Sequence, residues 1–466
     1  MRTTARLNRA FLPALLLLGW WAAFSASAPA QSTQGDNAVY NTAPALAAST
    51  AYIDASAFTG ADICARIHSA LGVIASGSTA VIDARGITTG LTCAVGKTPW
   101  VYTTTITTSS TILLPAAPIL LNTGWTMPSA TRIIGVGGGA NSSSATAGTT
   151  TIRACTSSTP TCSQNFTGTM IVMGNSTTQY CPFNAASQPV CTGMSVENLW
   201  LDGQGLSITG ITNTYAQEQS YVKHVTFYQL ATTGLNVGLP GSGSGTSQNS
   251  GPYSDLACTV GTNVSSSTVC ARIVNVSTRG IHGLTCLNTS ATIPTNAVAI
   301  DGPNNSIEDV KVQGFEYGIR IGASASAPNN LFKNITGGSG VTSAVFITNI
   351  SGNSVHDIVL LGVASGGATD TIIDNRTTPT TTLTDATVGM YVLGEPMAAG
   401  SNLNIGYSRF TTSPSVATWG HGSIIPSGTC TLGSLYSDTN GGNTGHTFAW
   451  YVCAPSGSST AWSGVK

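Results

Sequence analysis

The sequence predicts an all-β solenoid, a parallel β-helix, and three observations point to it. First, a phrase of the form apolar, any, Asn/Asp/His, apolar, any, apolar recurs. It reads Val196-Glu197-Asn198-Leu199-Trp200-Leu201, then Val222-Lys223-His224-Val225-Thr226-Phe227. It returns as Ile307-Glu308-Asp309-Val310-Lys311-Val312, Phe332-Lys333-Asn334-Ile335-Thr336 and Val355-His356-Asp357-Ile358-Val359-Leu360. Ala271-Arg272-Ile273-Val274-Asn275-Val276 reads as a degenerate copy with Ile in the polar slot. The slots lie 26, 49, 36, 25 and 23 residues apart, and a unit of about two dozen residues repeated with insertions signals stacked coils. Second, each phrase alternates as a strand does, and most are followed by a second short strand opened by Gly or Ala. These are Gly210-Ile211-Thr212, Gly234-Leu235-Asn236-Val237, Gly283-Leu284-Thr285-Cys286, Gly318-Ile319-Arg320-Ile321 and Ala344-Val345-Phe346-Ile347. The Gly fits a sharp bend, where φ is often positive. Third, stacking the phrases in register gives an outward column of Glu197, Lys223, Arg272, Glu308, Lys333 and His356. Charged residues are only 8% of the chain, so this column is selected. Opposite charges on adjacent strands add roughly 0.2–1 kcal/mol per pair. The column reads as a solvated charge ladder, and the Asn/Asp/His column as a structural corner whose short polar side chains bond nearby backbone.

Taken in order, residues 1–30 read as a secretory signal. Arg2, Arg6 and Arg9 precede an apolar run from Phe11 to Phe24, and Ala28-Pro29-Ala30 is a small-residue cleavage site. Residues 31–50 read as a polar linker and 51–394 as the β-helix. Ile63, Ile67, Ala70 and Leu71 have helical spacing, which predicts one short helix capping the first coil. Ala80–Gly86, Thr111–Pro115, Ile119–Leu121 and Thr131–Gly139 read as early strands, with Gly135–Gly139 a turn rather than a nucleotide loop. Segments 137–150 and 238–269 read as long projecting loops. Residues 395–423 read as a connector and 424–466 as a small cysteine-bounded β module, with Trp450, Tyr451 and Trp462 near Cys453.

Eleven cysteines behind a secretory signal point to disulfides. The close pairs are Cys155 with Cys162, Cys181 with Cys191, Cys258 with Cys270 and Cys430 with Cys453, while Cys64 and Cys93 would close the N-terminal segment. Cys286 is left as a buried thiol. No Cys/His cluster has zinc spacing, so no metal site is assigned. Without residues 1–30, 14 bases face 18 acids, a balance that argues against nucleic acid or an acidic membrane as partner. No stretch beyond the signal is long and apolar enough to insert in a bilayer. Oligomeric state is not legible.

The N-terminal order Gly60-Ala61-Asp62-Ile63-Cys64, Val81-Ile82-Asp83-Ala84-Arg85-Gly86, Leu113-Leu114-Pro115 and Ile133-Ile134-Gly135-Val136-Gly137 resembles the opening of extracellular pectate-lyase-superfamily proteins. Val196-Glu197-Asn198-Leu199-Trp200-Leu201-Asp202-Gly203 resembles their repeated coil. The resemblance spans roughly residues 50–390. It implies a right-handed, single-stranded parallel β-helix and a polysaccharide partner, with Ca²⁺ as cofactor should the chain be a lyase. It does not carry activity across, because the fold hosts lyases, hydrolases, esterases and inactive binders. The Asn-Thr-Asp and Asp-Asp motifs of the polygalacturonase-like hydrolases are missing here. Gly420-His421-Gly422 lies beyond the repeats, and no acidic calcium cluster can be placed.

Glycoside hydrolysis needs two carboxylates about 5–5.5 Å or 6.5–9.5 Å apart. The expectation is Glu218 with Asp202 or Asp301 as the acid/base pair, although the last two also read as strand-end turn residues. Arg320 or His224 is the expected substrate clamp. Trp200 is the expected sugar-stacking residue, outward between Leu199 and Leu201, with a loop packed over it as the plain alternative. Tyr215 and Tyr228 join it as substrate-binding candidates. Two function classes remain: a secreted polysaccharide lyase or glycoside hydrolase, and a non-catalytic carbohydrate-binding or adhesive β-helix.

Overall fold

A computed structural model of the chain describes residues 51–137, 148–183, 189–238, 249–348, 355, 358–364, 366–374, 419–422, 435–438, 450–456 and 459–465. The signal, the linker 31–50, most of the 395–423 connector, His356, Asp357 and Cys430 lie outside the described residues.

The chain is a parallel β-helix. One 13-stranded sheet starts at Ala51–Asp54 and runs through Ser195–Asp202, Tyr221–Tyr228, Tyr253–Val260, Ile281–Asn288, Ser306–Gln313 and Leu331–Gly337 to Val359–Leu361. A nine-stranded sheet of shorter strands accompanies it, from Trp125–Met127 through Thr209–Asn213, Thr233–Gly238, Val269–Val274, Asn296–Asp301, Tyr317–Ile321 and Ser343–Ile347 to Asp370–Asp374. Every pairing within these two sheets is parallel. A four-stranded sheet of Trp419–Gly422, Leu435–Asp438, Trp450–Ser456 and Ser459–Val465 occupies the C-terminal segment.

The long strands serve two faces. Asn198, His224, Asp255, Asp309 and Asn334 sit inside them at φ between 52° and 57°, and Gly283 at 81°. Register skips this position and resumes beyond it, as in Lys223↔Glu197 followed by Val225↔Leu199. A left-handed residue bends the strand there. Each long strand therefore divides into a first arm, a corner and a second arm. The earlier coils make the same division with separate strands: Ser110–Leu113 and Arg132–Ile134 on the first arm, Pro118–Leu121 and Thr151–Ala154 on the second.

This geometry corrects the repeat in one stretch. The coil copy is not Ala271–Val276, which belongs to the short-strand sheet. It is Tyr253-Ser254-Asp255-Leu256-Ala257-Cys258, inside the segment read as a loop, and then Ile281-His282-Gly283-Leu284-Thr285-Cys286, read as a second strand. Gly belongs in the slot because the slot requires a left-handed residue. The last copy is shifted as well, since Leu360, not Val355, pairs with Phe332.

The Gly residues that open the short strands have a different cause from the one expected. Gly210, Gly234 and Gly318 take no positive φ. A Cβ at Gly210 or Gly234 would run into the Phe227 ring and the backbone of the next coil, so these positions are small because coils pack closely.

Inside, columns of like residues stack. Ile53, Ile82, Ile112, Ile133, Val196, Val222, Tyr253, Ile281, Ile307, Phe332 and Leu360 form one first-arm column, each at most 2% exposed. Burial of each such side chain stabilises by about 1.5–3 kcal/mol. The expected helix is present as α1 (Ile63–Leu71), capped by Asp62 accepting from the Ala65 amide at 2.8 Å, with Ile63, Ile67, Ala70 and Leu71 buried. Cys64–Cys93, Cys155–Cys162, Cys181–Cys191 and Cys258–Cys270 are disulfides, and Cys453 is disulfide-bonded. Cys286 is a free thiol whose pKa burial pushes up.

The corner makes a direct prediction. Asp309→Val places a β-branched residue at positive φ and loses the bond to Asn334. It should cost at least about 1–2 kcal/mol more than Asp309→Gly, which loses only the bond. Equal thermal melts for the two variants would show that the corner does not enforce this conformation.

Candidate functional site

On the first arm the outer column is Glu197, Lys223, Ser254, His282, Glu308 and Lys333. Arg272 is not a member, and Glu308 stands between His282 and Lys333. Glu197 is the centre of a tight group. Arg132 pairs with it at 2.7 Å, the Ser195 hydroxyl donates to it at 2.7 Å and the Tyr221 hydroxyl at 3.0 Å. Arg132 also donates to the Tyr221 oxygen at 3.0 Å. Burial works to raise the pKa of the Glu197 carboxyl, but the three donors together outweigh it and hold the carboxyl below its ordinary 4.5. Further along, Glu308 accepts from Ser306 at 2.7 Å and pairs with Lys333 at 3.7 Å.

The corner residues bond to one another more than to backbone. His224 Nδ1 lies 3.1 Å from Asn198 Oδ1, and its Nε2 lies 3.1 Å from Asp255 Oδ2. Asn334 donates to Asp309 at 2.8 Å. His224, expected as a substrate clamp, is therefore a rung of this ladder with both ring nitrogens engaged.

The expected acid pairs do not meet. Asp202 is 3% exposed; it pairs with Arg153 at 2.9 Å and accepts from the Gln204 amide and side chain, as a turn residue would. Glu218 is exposed in the turn before the first arm, where Asn249 donates to it at 3.4 Å and its carbonyl accepts from Gly193. A whole long strand, Ser195–Asp202, separates the two, on the order of 20 Å at ~3.3 Å per residue. Asp301 lies three coils from Glu218 along the axis, about 14 Å at ~4.8 Å per coil. It is fully buried and accepts from the Ser324 amide at 2.8 Å and hydroxyl at 2.7 Å. Both separations exceed what paired acid/base chemistry allows.

Trp200 is outward but covered. It is 1% exposed, held in register between Thr151 and Thr226, with the Tyr228 ring 5.8 Å away. Its face is not available for a sugar. Tyr215 is half-buried against the core, and Tyr228 is half-buried on the second arm. On the same arm, several coils on, Thr285, Leu287, Lys311, Gln313 and Thr336 line a shallow trough of about 270 Å³.

The short-strand sheet carries the remaining candidate, Arg320, and brings it beside residues that the sequence pattern did not single out. Its outer column runs Asn236, Arg272, Ala299, Arg320 and Phe346. Arg272 pairs with Asp301 at 3.7 Å and donates to Ser324 at 2.8 Å. Among the described residues Arg320 has neither a hydrogen-bond acceptor nor an ion-pair partner. Beside it Tyr317 stacks on Phe346, with ring centroids 4.1 Å apart and planes 12° from parallel. Phe346 is 9% exposed and Tyr317 is the more open of the two. Burial raises the Tyr317 pKa, and the neighbouring Glu316 raises it further. A signal for this column exists: Ala271-Arg272-Ile273 and Ile319-Arg320-Ile321 share one pattern.

Calcium does not fit the described residues. The one group of three close potential ligands among them is Asp62, Cys64 and Cys93. Its two thiols form a disulfide, and Asp62 is used by the Ala65 and Ala94 amides and the Tyr102 hydroxyl.

With the β-helix and its outer faces in view, the chain can be set beside known proteins. No family model matches it, and no curated protein matches it. Among solved structures, the A-module of the mannuronan C-5 epimerase AlgE6 of Azotobacter vinelandii aligns over 62% of this chain and 92% of its own, at 15% identity and a TM-score of 0.25. ORF18 of Geobacillus virus E2 aligns over 69% of this chain and 60% of its own, at 10% identity and a TM-score of 0.32. Likenesses this distant carry no conclusion about activity. The β-helix rests on the chain's own strand pairing.

The Glu197 group gives a prediction with a definite sign. Its lowered pKa means that its contribution is full above pH 4.5 and is lost as pH falls through the depressed folded value. Glu197→Gln should destabilise by about 1 kcal/mol near neutral pH, discounted for the exposure of Arg132. The gap should close toward pH 3. Urea melts at both pH values check this, and a gap that widens in acid would contradict it.

Proposed function

We propose that this chain is a secreted, polysaccharide-facing β-helix that binds glycan along the outer face of its short-strand sheet. The observation that carries the reading is the Tyr317–Phe346 stack beside the unpaired Arg320 guanidinium. Flat aromatic rings and a few placed polar groups are how proteins hold sugar rings. The disulfides suit export, as does the N-terminal signal pattern.

Binding is favoured over hydrolysis because most of the acids on the described coils are committed. Glu197, Asp202, Asp301 and Glu308 each hold an Arg or Lys, and Asp255 holds His224. A lyase is the second reading. What favours it is the convergence of Arg132, Tyr221 and Glu197 on the first arm, an Arg and a Tyr within 3.0 Å of each other, since elimination needs a cation and a proton acceptor rather than two acids. Glu218 is the acid to test for any hydrolytic activity.

Immobilised pectins, plant glucans and bacterial exopolysaccharides offered to the full chain decide among these. The expected result is retention without product release, with Tyr317→Ala weakening retention roughly three- to tenfold. Unsaturated products would establish a lyase. Saturated products lost in Glu218→Ala would establish a hydrolase built on that acid.

A further inference from the structure

Three buried polar atoms lack partners on adjacent coils of one sheet: Arg272 Nε, Asn296 Oδ1 and Arg320 Nε. They belong to the strands Val269–Val274, Asn296–Asp301 and Tyr317–Ile321, and register places Asn296 against Tyr317 and Ala299 against both arginines. A buried polar group without a partner carries a desolvation cost, so three together require an explanation. Asn296 is 9% exposed and its side chain makes no hydrogen bond among the described residues. Arg320 makes no bond through any of its guanidinium nitrogens there. Between the arginines stands Ala299, whose small side chain leaves room over the column. The arginine stems are two coils apart, about 9.6 Å at ~4.8 Å per coil, close enough for the long side chains to converge.

From this we infer that the patch is a subsite for an acidic sugar, one bearing a carboxylate or sulfate group next to a free hydroxyl. This rests on the polysaccharide-binding reading and names the glycan's chemical class. The oxyanion takes the Nε and Nη donors of Arg320 in the side-on, two-point geometry that guanidinium groups favour. Arg272 adds charge from the other side of Ala299 while its Nη2 stays on Ser324 and near Asp301. Asn296 Oδ1 accepts from the sugar hydroxyl, and Tyr317 lies against the ring. Asp301 and Glu316 are the acids nearby. Asp301 is neutralised by Arg272 and Ser324, and Glu316 and Arg320 act on the Tyr317 hydroxyl in opposite senses, so Arg320 is the cation of the patch that no ion pair holds.

The test is calorimetric titration of the full chain with three oligosaccharide sets of matched length: oligogalacturonates, sulfated dextran oligomers and neutral dextran oligomers. The wild type should prefer at least one acidic set, with affinity falling as salt rises. Arg320→Gln should lose about tenfold or more for that set, and Arg320→Lys should fall between, because a lysine cannot make the two-point contact. Since Arg320 supports no partner in the fold, the thermal melt of Arg320→Gln should match the wild type. Whichever acidic set is bound identifies carboxylate or sulfate as the recognised group. Binding of neutral and acidic sets alike would overturn the inference and leave the polysaccharide reading standing. Binding of none would overturn both. Undiminished acidic binding by Arg320→Gln would remove the site from this patch.

Discussion

One residue per coil must turn the chain in the left-handed region, at the same place in successive layers, and the solenoid is organised around that requirement. Asn198, His224, Asp255, Gly283, Asp309 and Asn334 meet it. They are the residue types that enter this conformation at the lowest cost, the polar ones because a short side chain can bond locally. The corner then does two things. It splits one continuous strand into two arms, so a coil of some two dozen residues closes around a core with three faces. It also fixes register: with the turn in place, Val196 must lie on Val222 and Leu199 on Val225, and slipping by one residue would carry those columns outward. Side-chain bonds such as Asn334 to Asp309 offset part of the conformational cost.

The same requirement explains what was legible in the sequence and what was not. The phrase could be read because the corner restricts its third position to a few residue types between strongly apolar neighbours. The reading failed at Tyr253–Cys258 because Ser- and Gly-rich residues precede it, so that composition hid a strand that fits the phrase. It failed again at Ile281–Cys286 because Gly is the least restricted left-handed residue and carries no polar label. Arg272 falls outside the first-arm column for the same reason: the strands that fill its place carry Ser254 and His282 there. The pairs Cys155 with Cys162, Cys181 with Cys191 and Cys258 with Cys270 are legible because short separations bridge one coil or its turn. Trp200 was not legible, because alternation says only that it points outward. The strand Thr151–Ala154 that pairs against it comes from a distant stretch of chain. The acid pair failed for a related reason. Sequence shows that carboxylates exist, whereas their separation depends on which coil and which arm each one occupies.

Charge is scarce in this protein, and most of what there is serves the fold. Arg132, Arg153, Arg272 and Lys333 each hold a carboxylate on a neighbouring or nearby coil. Such ties between layers keep each coil in register with the next, though each contributes modestly where water reaches it. Among the described residues Lys223, Arg279, Lys311 and Arg320 stand outside this scheme, and of these four Arg320 is half-buried while the others are exposed. Arg320 occupies an outer column in which the equivalent residue two coils earlier, Arg272, holds Asp301 and Ser324 through its Nη2.

The face that carries Arg320 also suits an extended ligand. The long-strand sheet is folded at its corner, and the bonds of His224, Asp255, Asp309 and Asn334 run along that fold. Anything lying there must compete with the ladder. The short-strand sheet has no left-handed residue in the middle of its strands between Asn296 and Ile347, so its outer columns pass from coil to coil without interruption. Spacing along those columns is set by backbone hydrogen bonding and not by side chains, so an outer column there keeps its pitch whatever residues it holds. A linear polymer meets such a lane repeatedly along its length, and each added contact shares the entropic cost of the first. Recognition on this fold then needs only a few distinctive side chains in register, which Arg320, Tyr317, Phe346 and Asn296 supply, while the rest of the coil remains free to satisfy the corner and the core.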